Sequence, residues 1–242
     1  MKFEKTQVFN IEGALRGMRN PLSSWKHTDS VFGIADLREV DETLEEIYPD
    51  GSITFASWEN NIIFNCDENF ANYGIIGPKD LNLAQRLIKA GPEHRKFMRQ
   101  IFISVDITAP LYWWKETDTY KISTVANSTS TMHRLASNPI TLDCFETDDY
   151  DSSIEDKYML PIIESCEELR LKYIETQDKK YWKALVRLLP ESWLQTRTWT
   201  ANYEVIRNMY FQRNFHKLSE WNAFSKWVES LPYAKELILY NG

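Results

Sequence analysis

Shortages of cysteine and glycine limit the kinds of site that this sequence can build. The chain of 242 residues has three cysteines and eight glycines. Cys66, Cys144 and Cys166 are odd in number and far apart, so neither a disulfide framework nor a zinc or other metal site is indicated, and we expect buried thiols. The glycines form no Gly-rich loop that could hold phosphates, and there is no internal repeat.

Long apolar runs are also lacking. No stretch approaches the roughly 18 apolar residues that a membrane span requires, and the first residues, MKFEKTQVFN, carry no apolar segment of the signal-peptide kind. We therefore expect a cytoplasmic protein with no membrane partner. The net charge of -7 argues against a nucleic-acid polymer as partner, although it allows a local basic pocket for a small anion.

Hydrophobic periodicity predicts strands and helices that alternate along the chain, which is typical of an α+β fold with helices packed on a sheet. Strands are predicted at Lys2–Ile11, Ile101–Ile107 and Thr196–Ala201, and helices at Glu12–Met18, Asp36–Ile47, Leu81–Ala90, Ile154–Glu175, Lys179–Leu189, Tyr203–Asn214 and Leu218–Ser230. Asp80 and Asn202 are each placed to cap the helix that follows. Residues 52–64 are predicted to hold a hairpin, and the acidic segment 146–156 a linker or mobile loop.

Two arginines of the first predicted helix, Arg16 and Arg19, lie three residues apart and share a face. Two readings are open. Both arginines are solvated, or they contact a phosphate group, because the guanidinium fork matches phosphate oxygens.

The stretch from Gly91 to His133 has an unusual composition. Tyr112, Trp113 and Trp114 are consecutive, and residues 127–131 read Asn-Ser-Thr-Ser-Thr. An aromatic wall beside hydroxyl and amide groups would suit a planar, polar, phosphorylated ligand. The alternative is a buried helix followed by a capped turn.

Several of these features together resemble the flavin-dependent thymidylate synthases. The carboxyl-terminal part has Leu189-Pro190, a Thr-rich strand, Asn202, and Arg213 eleven positions later, in the family's order and spacing. Upstream, residues 14–19 look like the family's Ala-x-Arg-x-x-Arg helix element. Residues 91–94 fall at its Gly-His and Glu-His turn, and Ala109-Pro110 ends the strand as in the family.

The family signature, Arg-His-Arg-x-x-Ser-x-Asn-Glu-x-Ser-x-Arg-Tyr, is only partly kept. Asparagine and serine match within residues 127–133, but the glutamate, arginine and tyrosine do not. At Arg-His-Arg only Lys121 keeps a positive charge. A lysine is a point charge rather than a bidentate fork, so we expect weaker, salt-dependent flavin anchoring there.

The resemblance implies a single thymidylate synthase-like domain over residues 1–242, with an antiparallel or mixed sheet. It implies an enzyme that methylates deoxyuridine monophosphate (dUMP) to dTMP with FAD as cofactor, and with NADPH and methylene-tetrahydrofolate as co-substrates. It also implies a homotetramer with shared active sites. The alternative is a catalytically inactive homologue that serves as a nucleotide- or flavin-binding module. The lost signature residues favour it, and the surviving Arg213, Asn202 and Ser130 argue against it.

The resemblance also assigns roles by position. Arg213 and Ser130 are the catalytic candidates. The cofactor-binding candidates are His94, Lys121, Asn127, Asn202 and Asn208, and the substrate-binding candidates are Glu116, Ser128, Ser130, Arg187 and Arg213. Purely structural readings stay open beside these: a surface ion pair for Arg213, helix caps for Ser130 and Asn202, and turn stabilisation for His94.

Overall fold

Helices and strands alternate through the chain, as an α+β protein requires. The structure, a computed structural model, describes residues 1–66 and 70–242. The strands are β1 (Lys2–Phe9), β2 (Val31–Ala35), β3 (Ile63–Cys66), β4 (Ala71–Ile75), β5 (Phe102–Pro110), β6 (Val125–Ser128) and β7 (Leu194–Asn202). The α-helices are α1 (Ile11–Arg19), α2 (Leu37–Ile47), α3 (Phe55–Ile62), α4 (Pro78–Lys89), α5 (Leu111–Thr117), α6 (Thr131–Arg134), α7 (Ser152–Ile154), α8 (Leu160–Thr176), α9 (Lys179–Leu188), α10 (Tyr203–Arg213) and α11 (Ser219–Glu229).

Tighter and wider turns extend several of these helices. 3₁₀ turns occur at Asn20–Leu22, Trp25–His27, Arg95–Gln100 and Leu142–Cys144. π turns occur at Glu155–Met159, directly before α8, and at Ala234–Ile238 near the end of the chain. Within the described residues, no helix combines the length and apolar character needed to cross a bilayer.

The strands form two sheets in the described part of the chain. One has the order β1-β5-β7-β6 and the other the order β2-β4-β3. In the second sheet both pairings are antiparallel, with Val31 opposite Ile75 and Ala35 opposite Ala71. The pairing of β3 with β4 shifts register between Ile63 and Asn65.

The chain divides into two compact units, and each has its own core. Unit 1 comprises residues 1–4, 106–121 and 126–199, and unit 2 comprises residues 5–105, 122–125 and 200–242. The core of unit 1 is an aliphatic and aromatic cluster that joins α8 and α9 to the loops before them: Leu135, Ile140, Phe145, Met159, Ile163, Cys166 and Leu185. The expectation of one domain over residues 1–242 stays a prediction.

The core of unit 2 is rich in large aromatic side chains. Trp221, Phe224 and Trp227 lie along one face of α11, and their rings contact one another in sequence. The buried Tyr233 hydroxyl donates to the carbonyl of Gly74 and accepts from the amide of Ile76, at 2.9 and 2.8 Å. Aromatic stripes at helical spacing thus serve packing here, as periodicity predicts.

Most of the predicted elements are confirmed, with ends shifted by a few residues. The predicted hairpin at 52–64 is wrong, because Thr54 and Ser57 form a capping box that begins α3. The predicted cap at Asp80 is also wrong. α4 begins earlier, at Pro78, a residue suited to the first helical position because it has no amide to satisfy.

The tryptophans of the stretch from Gly91 to His133 lie in a buried helix, which was the alternative to a ligand-binding wall. Trp113 and Trp114 lie in α5 and are fully buried in unit 1, with their rings 5.0 Å apart. The indole nitrogen of Trp114 donates to the carbonyl of Gln195 at 2.9 Å. These tryptophans therefore build the core of unit 1 and form no exposed wall for a ligand.

Candidate functional site

Unit 2 contains an open cleft of about 1310 Å³, which we call the basic cleft. It is lined by the end of α1 and the residues that follow it, by one face of α4, and by part of the segment before β5: residues 17–22, 24, 27, 78, 79, 82, 83, 86, 87, 93, 94, 96, 97, 99 and 100. Small-ligand pockets usually measure roughly 300–1,000 Å³. The basic cleft is therefore large enough for an extended ligand.

Positive charge dominates the lining. Lys79 and Arg86 come from α4, and Lys96 and Arg99 from the 3₁₀ turn Arg95–Gln100. All four side chains are exposed. Among the described residues that line the cleft, Glu93 is the only acid. A chain with a net charge of -7 thus concentrates cations in one cavity, which favours an anionic ligand.

Apolar side chains separate these cations. Leu83 and Leu87 lie one turn apart on α4, and Leu22 projects from the turn after α1 with 85% of its surface exposed. An exposed apolar patch is typical of a surface that a ligand covers. The lining therefore offers charge for phosphates and apolar surface for a planar ring.

A buried ion pair fixes one wall of the cleft. Arg19 donates from Nε to Asp80 Oδ1 at 2.6 Å, and from its terminal nitrogens to the carbonyls of Ser24 and His27 at 3.4 and 3.1 Å. The other carboxylate oxygen of Asp80 accepts from Thr28 and Ser30. Residues 19–30 are thereby tied to α4.

Asp80 stays ionised in this network. Burial alone raises the pKa of its carboxyl group, but the hydrogen bonds from Ser30, Thr28 and Arg19 outweigh burial and lower the pKa below its ordinary value. Arg19 is therefore a structural residue, and the solvated reading is wrong for it. Arg16 is exposed.

The predicted site residues of unit 2 are only partly brought together. His94 lines the basic cleft and is exposed. Asn202 is 2% exposed, and its Oδ1 accepts from the amide of Val205 at 3.0 Å, so its capping role is confirmed. Asn208 is exposed on α10. Neither asparagine belongs to the described lining of the cleft.

Arg213 ends α10 in a half-buried position. Its guanidinium carbon lies 4.8 Å from the ring centroid of Trp221, a cation–π contact. One terminal nitrogen lies 3.4 Å from Nε2 of His216. The guanidinium group is thus positioned by aromatic side chains of its own unit.

The remaining predicted residues belong to unit 1. Lys121, Asn127 and Ser128 are exposed, on the turn before β6 and on β6 itself. Arg187 is exposed on α9, and Glu116 is half-buried on α5. In the described part of the chain no contact joins these five side chains to one another, and their ligand roles stay predictions.

Ser130 lies at a smaller pocket of unit 1, of about 190 Å³. Its side chain accepts from the amide of His133 at 3.1 Å and so caps α6, which confirms the capping reading. Thr131, Arg134 and Cys144 line the same pocket. Cys144 is a half-buried free thiol, and burial raises the pKa of the Cys166 thiol to about 11. The side chain of Cys66 lies outside the described part of the chain.

The cations of α4 were not foreseen from the sequence. Lys79, Asn82 and Arg86 follow one another at helical spacing, so a row of donors on one face could have been read from the printed sequence. Lys96 and Arg99 are three residues apart, a spacing that aligns side chains in a 3₁₀ turn. That both sets line one cavity could not have been read from the sequence.

Solved structures share this fold over nearly the whole chain. The flavin-dependent thymidylate synthase ThyX from Helicobacter pylori, complexed with FAD and dUMP, aligns with a TM-score of 0.64 and 15% sequence identity, over 99% of this chain and 98% of that chain. A second structure of that enzyme with FAD and dUMP has a TM-score of 0.64 and 14% identity, over 98% and 97% of the two chains. The chain has the fold of the flavin-dependent thymidylate synthases.

The thymidylate synthase-like fold confirms the resemblance drawn from the sequence and the α+β class. No protein-family model matches the sequence, and no curated protein matches it. A UMP/dUMP methylase, PolB from Streptomyces cacaoi, aligns over 67% of this chain and 84% of its own with 12% identity and a TM-score of 0.49. At these identities the likeness establishes the fold, and the activity rests on the site.

Proposed function

We propose that this protein is an FAD-dependent thymidylate synthase-like enzyme that methylates dUMP. The one-carbon donor is methylene-tetrahydrofolate and the reductant is NADPH. The observation that carries the proposal is the basic cleft, a large cation-lined cavity on a fold whose solved examples were obtained with FAD and dUMP.

The cleft has the chemistry that a flavin nucleotide needs. Four exposed cations offer charge to phosphate oxygens, and leucine side chains offer apolar surface to a planar ring. The volume of about 1310 Å³ exceeds the usual range for small ligands, as a dinucleotide requires. The residues present therefore fit FAD.

In this proposal FAD, when bound, supplies the hydride that reduces the transferred carbon. The protein binds and orients the reactants and stabilises negative charge that develops on the pyrimidine carbonyls. We assign this stabilisation to Arg213, whose guanidinium group is already oriented by Trp221. Ser130 contacts the nucleotide, and His94, Asn202 and Asn208 contact the flavin.

The test uses dUMP labelled with tritium at C5. The purified protein is incubated with FAD, NADPH and methylene-tetrahydrofolate, and tritium release and dTMP formation are measured. Reactions that omit the folate or FAD serve as controls. Product that depends on both additions supports the proposal. A protein that binds dUMP and FAD without forming dTMP would show that the methylase assignment is wrong.

That outcome would favour a second candidate, a nucleotide- or flavin-binding module without turnover. Ser130 and Asn202 already use their side chains as helix caps, and only Lys121 keeps a charge at the Arg-His-Arg position. The colour of the purified protein gives a first indication, because a bound flavin is yellow. Ligand binding by isothermal titration with no product formation identifies the module.

We further propose that the protein assembles as a homotetramer in which subunits share active sites. This follows from the resemblance and is supported by the shared fold. Sedimentation velocity at micromolar concentration measures the assembly directly. A stable monomer that is fully active would contradict shared sites.

A further inference from the structure

We infer that the cations of the basic cleft, and foremost Lys79 and Arg86, hold the phosphates of the flavin dinucleotide in this protein. The inference rests on the proposed function and deepens it. It assigns the phosphate anchor to residues outside the Arg-His-Arg position, where Lys121 alone remains charged.

The first support is the arrangement of α4. Lys79 and Arg86 are seven residues apart, which places them two turns from each other on one face, about 10 Å apart along the helix axis. Leu83 lies between them along the chain and lines the same cleft. A ligand that carries phosphates and a planar ring meets charge and apolar surface on a single helix.

The second support is that three of the four cations have no protein partner among the described residues. Among the described residues, the side chains of Lys79, Arg86 and Lys96 form no hydrogen bond or ion pair, whereas Arg19 in the same lining is bound to Asp80. Arg99 makes one contact, to the carbonyl of Pro92 at 3.5 Å. Like charges gathered in one cavity repel each other, and an anionic ligand removes that repulsion.

The third support excludes the helix terminus as the anchor. The carboxylate of Asp29 accepts from the amides of Lys79 and Asp80 at 2.9 and 3.1 Å and so occupies the N-terminus of α4. The amides that often bind phosphate at a helix start are therefore satisfied within the protein. On α4, side chains are therefore the donors that remain for phosphates.

The experiment is a titration of FAD, riboflavin and ADP into purified full-length protein, followed by flavin fluorescence or calorimetry. The variants are Arg86→Gln and Lys79→Gln. Lys89→Gln is the matched control, because Lys89 is an exposed lysine of the same helix that is not in the described lining. Arg38→Gln, an exposed arginine of α2, is the control for Arg86. Lys121→Ala tests the competing anchor.

We expect Arg86→Gln and Lys79→Gln each to weaken FAD binding by about 10- to 100-fold, the usual effect of losing a hydrogen bond to a charged group. The two controls should bind FAD as the wild type does. Riboflavin has no phosphate, so its affinity should be the same in all variants. Wild-type affinity for FAD should fall between 0.1 and 1 M salt, because exposed charges are screened.

The outcomes separate this inference from the proposed function. Equal FAD affinity in all variants, or loss of FAD binding in Lys121→Ala alone, overturns the inference and leaves a flavin enzyme intact. If the wild type binds ADP but not FAD, and Arg86→Gln weakens ADP binding, the proposed function is overturned and the role of Arg86 in binding phosphate remains. A wild type that binds neither FAD nor ADP overturns both. Unchanged thermal unfolding of the variants confirms that the exposed substitutions leave the fold intact.

Discussion

Arg19 and Asp80 form a buried ion pair of 2.6 Å that joins the end of α1 to the first turn of α4. Asp80 is fully buried and Arg19 is 6% exposed. Charges this deep are stable only when hydrogen bonds satisfy them, and the contacts of the pair with the carbonyl of His27 and the hydroxyls of Thr28 and Ser30 do so. The same contacts hold residues 19–30, a segment of which residues 19–22, 24 and 27 line the basic cleft.

Removing one partner of this pair should be costly. We expect Arg19→Met to lower the free energy of unfolding by about 3–5 kcal/mol, because the carboxylate of Asp80 is then buried without its cation. Arg38→Met is the control. It breaks the exposed pair of Arg38 with Glu42 and should change stability by less than about 1 kcal/mol. Urea denaturation measures the unfolding free energy of both variants. If Arg19→Met loses as little stability as Arg38→Met, the buried pair is not a structural anchor.

The Asp80 carboxyl also predicts a pH dependence. Its pKa is lowered on folding, so the stability it contributes is fully present above its ordinary pKa of 3.8 and is lost as pH falls through the lower folded value. The unfolding free energy of the wild type should therefore fall more steeply in acid than that of Asp80→Asn. Parallel pH profiles for the two proteins would contradict this.

Much of the fold could be predicted because the relevant signals are local. The helical stripe of α11 and the Asn202 cap follow from periodicity and side-chain chemistry within a few residues. Asp80 shows the limit of local signals. Its position before an apolar helix looks like a cap, but Arg19, far away in sequence, pairs with it in the core. Likewise, only tertiary structure brings Arg86 and Lys96 to one cavity.

Glu236 should destabilise the folded protein at neutral pH. Its Oε2 is buried and has no hydrogen-bond partner among the described residues, and burial raises the pKa of the carboxyl group above its ordinary 4.5. The protonated carboxyl group contributes to the free energy of unfolding below pH 4.5, and this contribution is lost as the pH rises through the folded pKa. We expect Glu236→Gln to stabilise the protein at pH 8, by less than about 1 kcal/mol since the group is partly solvated. Chemical denaturation at pH 8 and pH 4 should show a smaller gain at the lower pH.

The Tyr233 hydroxyl group should stabilise the end of β4. It donates to Gly74 and accepts from the amide of Ile76, and both contacts are buried. We expect Tyr233→Phe to reduce the unfolding free energy by about 1–3 kcal/mol, because the buried amide and carbonyl lose a partner. Tyr158→Phe, at a tyrosine with 56% exposure, is the control and should have almost no effect. Equal losses in the two variants would argue against this account.

Arg213 should be needed for dUMP binding more than for folding. Arg213→Ala removes the stack on Trp221, an interaction worth about 0.5–1 kcal/mol at partly exposed sites. The loss of a charge-assisted contact to the nucleotide should cost more, about 1.5–3 kcal/mol of affinity. Calorimetric titration of dUMP beside thermal unfolding separates the two effects. A variant that binds dUMP as the wild type does would place the nucleotide away from Arg213.

Asn202 allows its capping role to be separated from its proposed role toward the flavin. Serine caps helices about as well as asparagine, whereas alanine cannot accept the amide hydrogen bond of Val205. Asn202→Ser should therefore keep the stability of the wild type, and Asn202→Ala should lose about 0.5–2 kcal/mol. If the amide group also contacts the flavin, both variants bind FAD more weakly, and the serine variant does so without loss of stability. Normal FAD affinity in Asn202→Ser would reduce Asn202 to a cap, since its side chain is only 2% exposed.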